Sequence, residues 1–189
     1  VSFLRTIWPT FVAHGTRDWV GTNISAGRIS GGNLAINLPN DVLKQMKAGG
    51  DIPDKAVFFE LRLSGLVIHH LKGLPPIHTT ETTARVIGRR FIFDAPDPSR
   101  IILPSGKSAT LHGGQFIVGD LRPRFPNGEI HFRGEGAVDA ALELLDHQPL
   151  GYVQAVGMKT DILAGHMDAS FSIGLPLLKD VKFKQLSLS

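Results

Sequence analysis

Alternation of apolar and polar side chains dominates the chain from residue 27 onward. Leu34, Ile36 and Leu38 alternate with small or polar residues, and Val57, Phe59, Leu61 and Leu63 alternate with Phe58, Glu60, Arg62 and Ser64. A period of two is the signature of a strand with one face buried. Further runs of this kind lie at roughly 66–70, 79–93, 101–103, 108–111, 115–118 and 129–138. Two more close the chain. In the first, Met167, Ala169, Phe171, Ile173 and Leu175 face one way; in the second, Val181 and Phe183 alternate with Lys182 and Lys184. Turn-forming clusters separate the runs, among them Gly73-Leu74-Pro75-Pro76, Pro104-Ser105-Gly106, His112-Gly113-Gly114 and Pro126-Asn127-Gly128.

Helical signals are fewer. Phe3, Leu4 and Ile7 share a face before Trp8-Pro9 interrupts, and a second helix over 11–24 carries Trp19, Val20 and Ile24, ending at Gly27. Asn40 is placed to cap a short helix closed by Gly49-Gly50. Asp139 is placed to cap another, near 139–147, with Pro149 beyond its end. The expected organisation is therefore a helical segment over 1–26 and one continuous β-rich unit over 27–189. The fold class is mostly β with a few short helices. The phrase Ile-x-Leu-Pro recurs at Ile36, Ile101 and Ile173, and each proline is expected to end a strand.

Composition narrows the function. Of 189 residues 42% are hydrophobic and 20% charged, with a net charge of +3, which is ordinary for a folded domain. The basic residues sit singly or in pairs such as Arg89-Arg90, without a basic block, so no nucleic-acid partner is expected. The absence of cysteine removes disulfides and thiolate chemistry. No apolar run reaches the roughly 20 residues that span a bilayer. The opening Val1-Ser2-Phe3-Leu4-Arg5 lacks the pattern of a signal peptide, and the chain reads as a slice of a longer protein.

Catalytic motifs do not emerge. Zinc-protease, phosphate-loop and serine-elbow patterns are missing, and Gly134-Glu135-Gly136 lacks the third glycine of a dinucleotide fingerprint. His69 and His70 are adjacent and point to opposite faces of a strand, while His112, His131 and His166 lie on separate runs that nothing in the sequence brings together. Glu143 and Asp146 are read as solvating the outer face of their helix. No enzyme activity, metal or cofactor is expected.

Trp8-Pro9, Arg17-x-Trp19-Val20, Asn23 and Gly27-Arg28-Ile29, followed by Gly73-Leu74-Pro75-Pro76-Ile77, Leu103-Pro104-Ser105-Gly106, Gly114-Gln115-Phe116 and Ala141-Leu142-Glu143-Leu144-Leu145, occur in an order that resembles bacterial AsmA-like proteins, the YhdP type in particular. The resemblance runs over essentially the whole chain. It implies a curved antiparallel sheet, or taco-like β-groove, related to bridge-like lipid transfer proteins. It also implies a periplasmic location in a parent anchored in the inner membrane of a Gram-negative cell, with membrane contact through parts outside this chain. The implied function is phospholipid transport toward the outer membrane and envelope integrity. Its partners would be phospholipid acyl chains, with envelope proteins beside them; the alternative is a non-catalytic scaffold for outer-membrane assembly. If a groove holds acyl chains, the alternating sets are its candidate lining: Val57, Phe59, Leu61, Leu63, Phe116, Val118, Ile130, Phe132, Met167, Phe171 and Ile173.

Overall fold

A computed structural model describes residues 21–50, 53, 56–70, 72–96, 98–123, 125–148, 150–151, 153, 157, 164–177 and 187–188. Its elements are β1 (Ile24–Ile36), α1 (Asn40–Lys47), β2 (Val57–Ile68), β3 (Ile77–His78), β4 (Glu81–Ile87), β5 (Arg90–Ala95), β6 (Ser99–Ile102), β7 (Ser108–Val118), β8 (Asn127–Ala137), α2 (Val138–Asp146), β9 (His166–Pro176) and β10 (Ser187–Leu188). The strands form one curved, antiparallel, mostly-β sheet.

The sheet is a meander. Ser64 lies opposite Glu81 and Val67 opposite His78, so β3 and β4 are two halves of one bent line beside β2. In the same way β5 and β6 face β7 in turn, with Ala95 opposite Gly114 and Ser99 opposite Leu111. Each line therefore pairs with the next one along the chain, from β1 to β10. Two-residue turns make such neighbours cheap: Ile87 pairs with Arg90 across Gly88-Arg89, and Gly88 supplies the positive φ of 58° that the tight turn needs.

A crease crosses the middle of the sheet. It passes through Gly65 in β2 (φ 61°), Thr79-Thr80 between β3 and β4, the stretch between Ala95 and Ser99, and Gly113 in β7 (φ 59°). A Cβ at Gly65 or Gly113 would meet nothing within 4 Å, so backbone conformation, not crowding, calls for glycine there. At the crease the alternation slips by one residue. Leu61 and Leu63 are buried on one side of it and Leu66 and Ile68 on the other, all within one core cluster. That cluster also takes in Ile24, Ala84, Val86, Phe91, Val118 and Leu177. A smaller one joins Ile101 and Leu103 to Ala140 of α2, which covers that end of the face.

Several local expectations change. The first described strand begins at Ile24, ahead of residue 27, with Gly21–Asn23 helical before it; Gly27 sits within β1 and ends no helix. Leu38 falls past the end of β1. The run at 79–93 divides into β4 and β5, whereas 57–64 with 66–70, and 108–111 with 115–118, join into the single strands β2 and β7. The helix caps move upstream, to Pro39 and Ala137, and Asp139 instead accepts a bond from the Ala140 amide at 2.8 Å. Pro176 does end β9, whereas Pro39 and Pro104 come three and two residues after the ends of β1 and β6. The helices expected before residue 21 and the strand at 181–184 lie outside the described residues.

Candidate functional site

Strand pairing decides which side chains share a face, because residues directly opposite one another point the same way. Phe59 lies opposite Val86, Val86 opposite Phe91, Phe91 opposite Val118, and Val118 opposite Gly128. One row along, Leu61, Ala84, Phe93, Phe116, Ile130 and Ile173 follow each other across the sheet. Phe132 pairs with Phe171 and Gly136 with Met167. All eleven candidate lining residues therefore stand on one apolar face.

Their accessibility differs along that face. Leu61, Leu63 and Val118 are sealed in the core and present no surface to a ligand. Val57, Phe59, Phe116, Ile130, Phe132, Met167 and Ile173 are half-buried, and Phe171 is 36% exposed. Toward β8 and β9 the face thus opens, and there the Phe132 and Phe171 rings stack with centroids 5.1 Å apart. On the reverse side of the same strands an open hollow of about 470 Å³ is lined by His112, His131, Arg133, Ser170 and Ser172 of the polar face, with Gly113, Phe132 and Phe171 along its floor. Glycines on β8 make room for the rings. A Cβ at Gly134 would lie 3.3 Å from Phe171 Cε2, and one at Gly128 only 2.4 Å from Phe116 Cε2. Sequence reading missed these glycines as part of the surface; the signal was that 128, 134 and 136 fall in phase with Ile130 and Phe132 on the apolar register. The β1 margin is the second open place, where Leu34 and Ile36 are exposed beside Phe59 and Val57.

The opposite face is polar and densely paired. Asp94 takes an ion pair from Arg85 and a 2.7 Å hydrogen bond from Gln115, and Asp168 pairs with Arg133. The Arg133 guanidinium holds the Asp168 carboxyl below its usual range. Two histidines that the sequence left apart meet here, with Glu135 3.0 Å from His112 and 3.3 Å from His166, while His131 stands by itself 3.5 Å from Glu129. Among the described residues no three His, Asp or Glu side chains are arranged to hold a metal ion. His69 bonds Ser25 Oγ at 2.9 Å, while His70 turns inward and buries its Nδ1. Glu143 does not simply solvate its helix. Its carboxylate accepts bonds from the Ser105 hydroxyl (2.6 Å) and amide (3.3 Å), tying α2 to the turn between β6 and β7.

No described helix is long and apolar enough to cross a membrane. Comparison with known proteins finds no matching family model, no similar curated protein and no similar solved structure.

Proposed function

We propose that this chain is a non-enzymatic segment of an AsmA-like envelope protein that holds phospholipid acyl chains against the apolar face of its sheet. In this reading the parent is anchored in the inner membrane, the segment works in the periplasm, and lipid passes toward the outer membrane. The observation that supports it is the gathering of all eleven apolar candidates on one face whose β8–β9 end stays open around Phe132 and Phe171. Acyl chains need area and no bond chemistry, and each CH₂ removed from water contributes about 0.8 kcal/mol. The sealed centre at Leu61, Leu63 and Val118 restricts the holding surface to the half-buried and exposed members.

The test is lipid extraction and mass spectrometry on the purified chain, with titration of a fluorescent fatty acid. Phe171→Asp is expected to weaken fatty-acid binding at least about tenfold, since it removes one large apolar side chain and adds a charge. The thermal melt should fall only modestly, because Phe171 is 36% exposed and gives up chiefly its stacking on Phe132. Protein that carries no lipid and binds no probe, or binding untouched by Phe171→Asp, would sink the reading.

A further inference from the structure

The outer edge of β1 is long and regular, and no described element covers it. Among the described residues β1 pairs with β2 alone. From Gly31 to Ile36 its register against Arg62 to Val57 runs without a shift. The ladder fixes which backbone groups point outward. Asn37 donates to the Ala56 carbonyl at 2.8 Å, so Ala35 and Asn33, two and four residues back, also exchange bonds with β2. Across β2, Gly88 donates to Val57 and Gly65 to Thr80, which assigns the odd-numbered positions of that stretch of β2 to β4 and agrees with this phase. The amides and carbonyls of Gly32, Leu34 and Ile36 therefore face away from the sheet. Leu34 and Ile36 also carry the exposed side chains of this margin, at 58% and 54%.

Native sheets blunt such edges with lysine, proline, bulges or a covering element. The stretch Gly31-Gly32-Asn33-Leu34-Ala35-Ile36 has no charge and no proline, and its bulges lie upstream, before Gly31. Continuing the sheet there satisfies the outward backbone groups and shields two apolar side chains together.

We propose that β1 is a homodimer edge, pairing antiparallel with β1 of a second copy about a two-fold axis normal to the sheet. Three features select a second copy. A two-fold of this kind requires a residue to meet its own counterpart, and a segment without charge brings no like charges together. Centring the axis on Leu34 makes an outward-facing pair at Leu34 and sets Ile36 opposite the counterpart of Gly32. A side chain is missing at Gly32, and a Leu61 methyl lies over the gap, where a Cβ would come within 2.9 Å of it. Ile36 of the second copy then lies over the bare backbone at Gly32. The same axis keeps both apolar faces on one side, so the two sheets join into one surface.

An edge of this length makes a small interface of the weak class, below about 1,200 Å², so association is read at high concentration, roughly 100 µM. Sedimentation equilibrium of the full 189-residue chain should show a monomer–dimer equilibrium. Leu34→Lys and Ile36→Lys should each weaken it at least about tenfold, with the circular-dichroism melt unchanged. Phe125→Lys, a control at another exposed apolar position (54%), should leave it intact. Amide exchange supplies the second readout: protection at Leu34 and Ile36 should rise with protein concentration, while Asn33 and Ala35 are protected throughout. A chain that stays monomeric, or a dimer indifferent to Leu34→Lys, overturns the proposal. So does concentration-dependent protection that falls elsewhere on the sheet, which would place the contact at another edge.

Discussion

His70 is the residue at which burial and charge oppose each other most directly. Its ring is pushed down from 6.5 to about 4 by desolvation; a hydrogen bond with Ile68 works against the shift and the charge of His69 adds to it. The unfolded chain takes up this proton near 6.5, whereas the folded chain resists until about 4. Stability associated with the neutral ring is therefore whole above pH 6.5 and is lost as pH falls toward 4. The loss is at most about 1.4 kcal/mol per pH unit, or about 3 kcal/mol in all. Urea denaturation at pH 7, 5.5 and 4 should show a steeper decline for the natural chain than for His70→Leu. Parallel slopes would show that His70 does not carry the linkage. The sequence made the opposite orientation of His69 and His70 legible, because neighbours on an extended chain diverge, although both lie just past the end of β2. Which one turns inward was not legible, since that depends on packing against a core assembled from distant strands.

At the scale of elements, β7 and β8 show how a glycine can be a packing residue. Gly128 has no special backbone angle, yet a Cβ there would sit 2.4 Å from Phe116 Cε2 and 2.8 Å from Cζ. The Phe116 ring lies across the neighbouring strand where a side chain is missing, and there it also meets the edge of Phe91, 6.1 Å away. Gly128→Ala should destabilise the chain by about 1–3 kcal/mol through overpacking. Combining it with Phe116→Leu should recover part of that loss, a coupling that denaturant titration of the two single variants and the double variant would measure. If the double variant is merely the sum of the singles, the ring is not the obstacle. Alternation made most of these strands legible in the sequence, and with them the eleven apolar candidates. It misplaced strand ends where the period itself slips. Gly65 and Gly113 look like turn residues, but in the sheet they are bulges that carry β2 and β7 across the crease. The hairpin at Gly88-Arg89 was hidden for the converse reason: a two-residue turn leaves hardly any break in an apolar run.

Across the whole molecule, a meander built from neighbours in sequence concentrates its stability where burial is deepest. Buried apolar side chains crowd β2, β4, β5 and the end of β7, whereas β9 has none and β1 has only Ile24. Yet β9 is hydrogen-bonded to β8 along its whole eleven residues, so its backbone order does not rest on a core of its own. Local opening of β9 exposes little apolar area that was not exposed already, while opening β4 exposes Ala84 and Val86 together with their partners on β2 and β5. Amides that β9 donates to β8 should therefore exchange through local opening, with protection at least about thirtyfold below that of β4 and β5, about 2 kcal/mol. Hydrogen exchange under native conditions, read residue by residue, checks the gradient; uniform protection from β2 to β9 would refute it. On the proposed lipid-holding function, the gradient also bears on where an acyl chain would enter. The margin that opens most easily is the one bearing Phe132 and Phe171, so an acyl chain entering there displaces little packed core. Bound fatty acid should then raise protection in β8 and β9 together with the global limit read in β4 and β5, because local opening of the margin as well as global unfolding releases the ligand. A gain in β4 and β5 with none in β8 and β9 would instead mean that the ligand binds away from this margin.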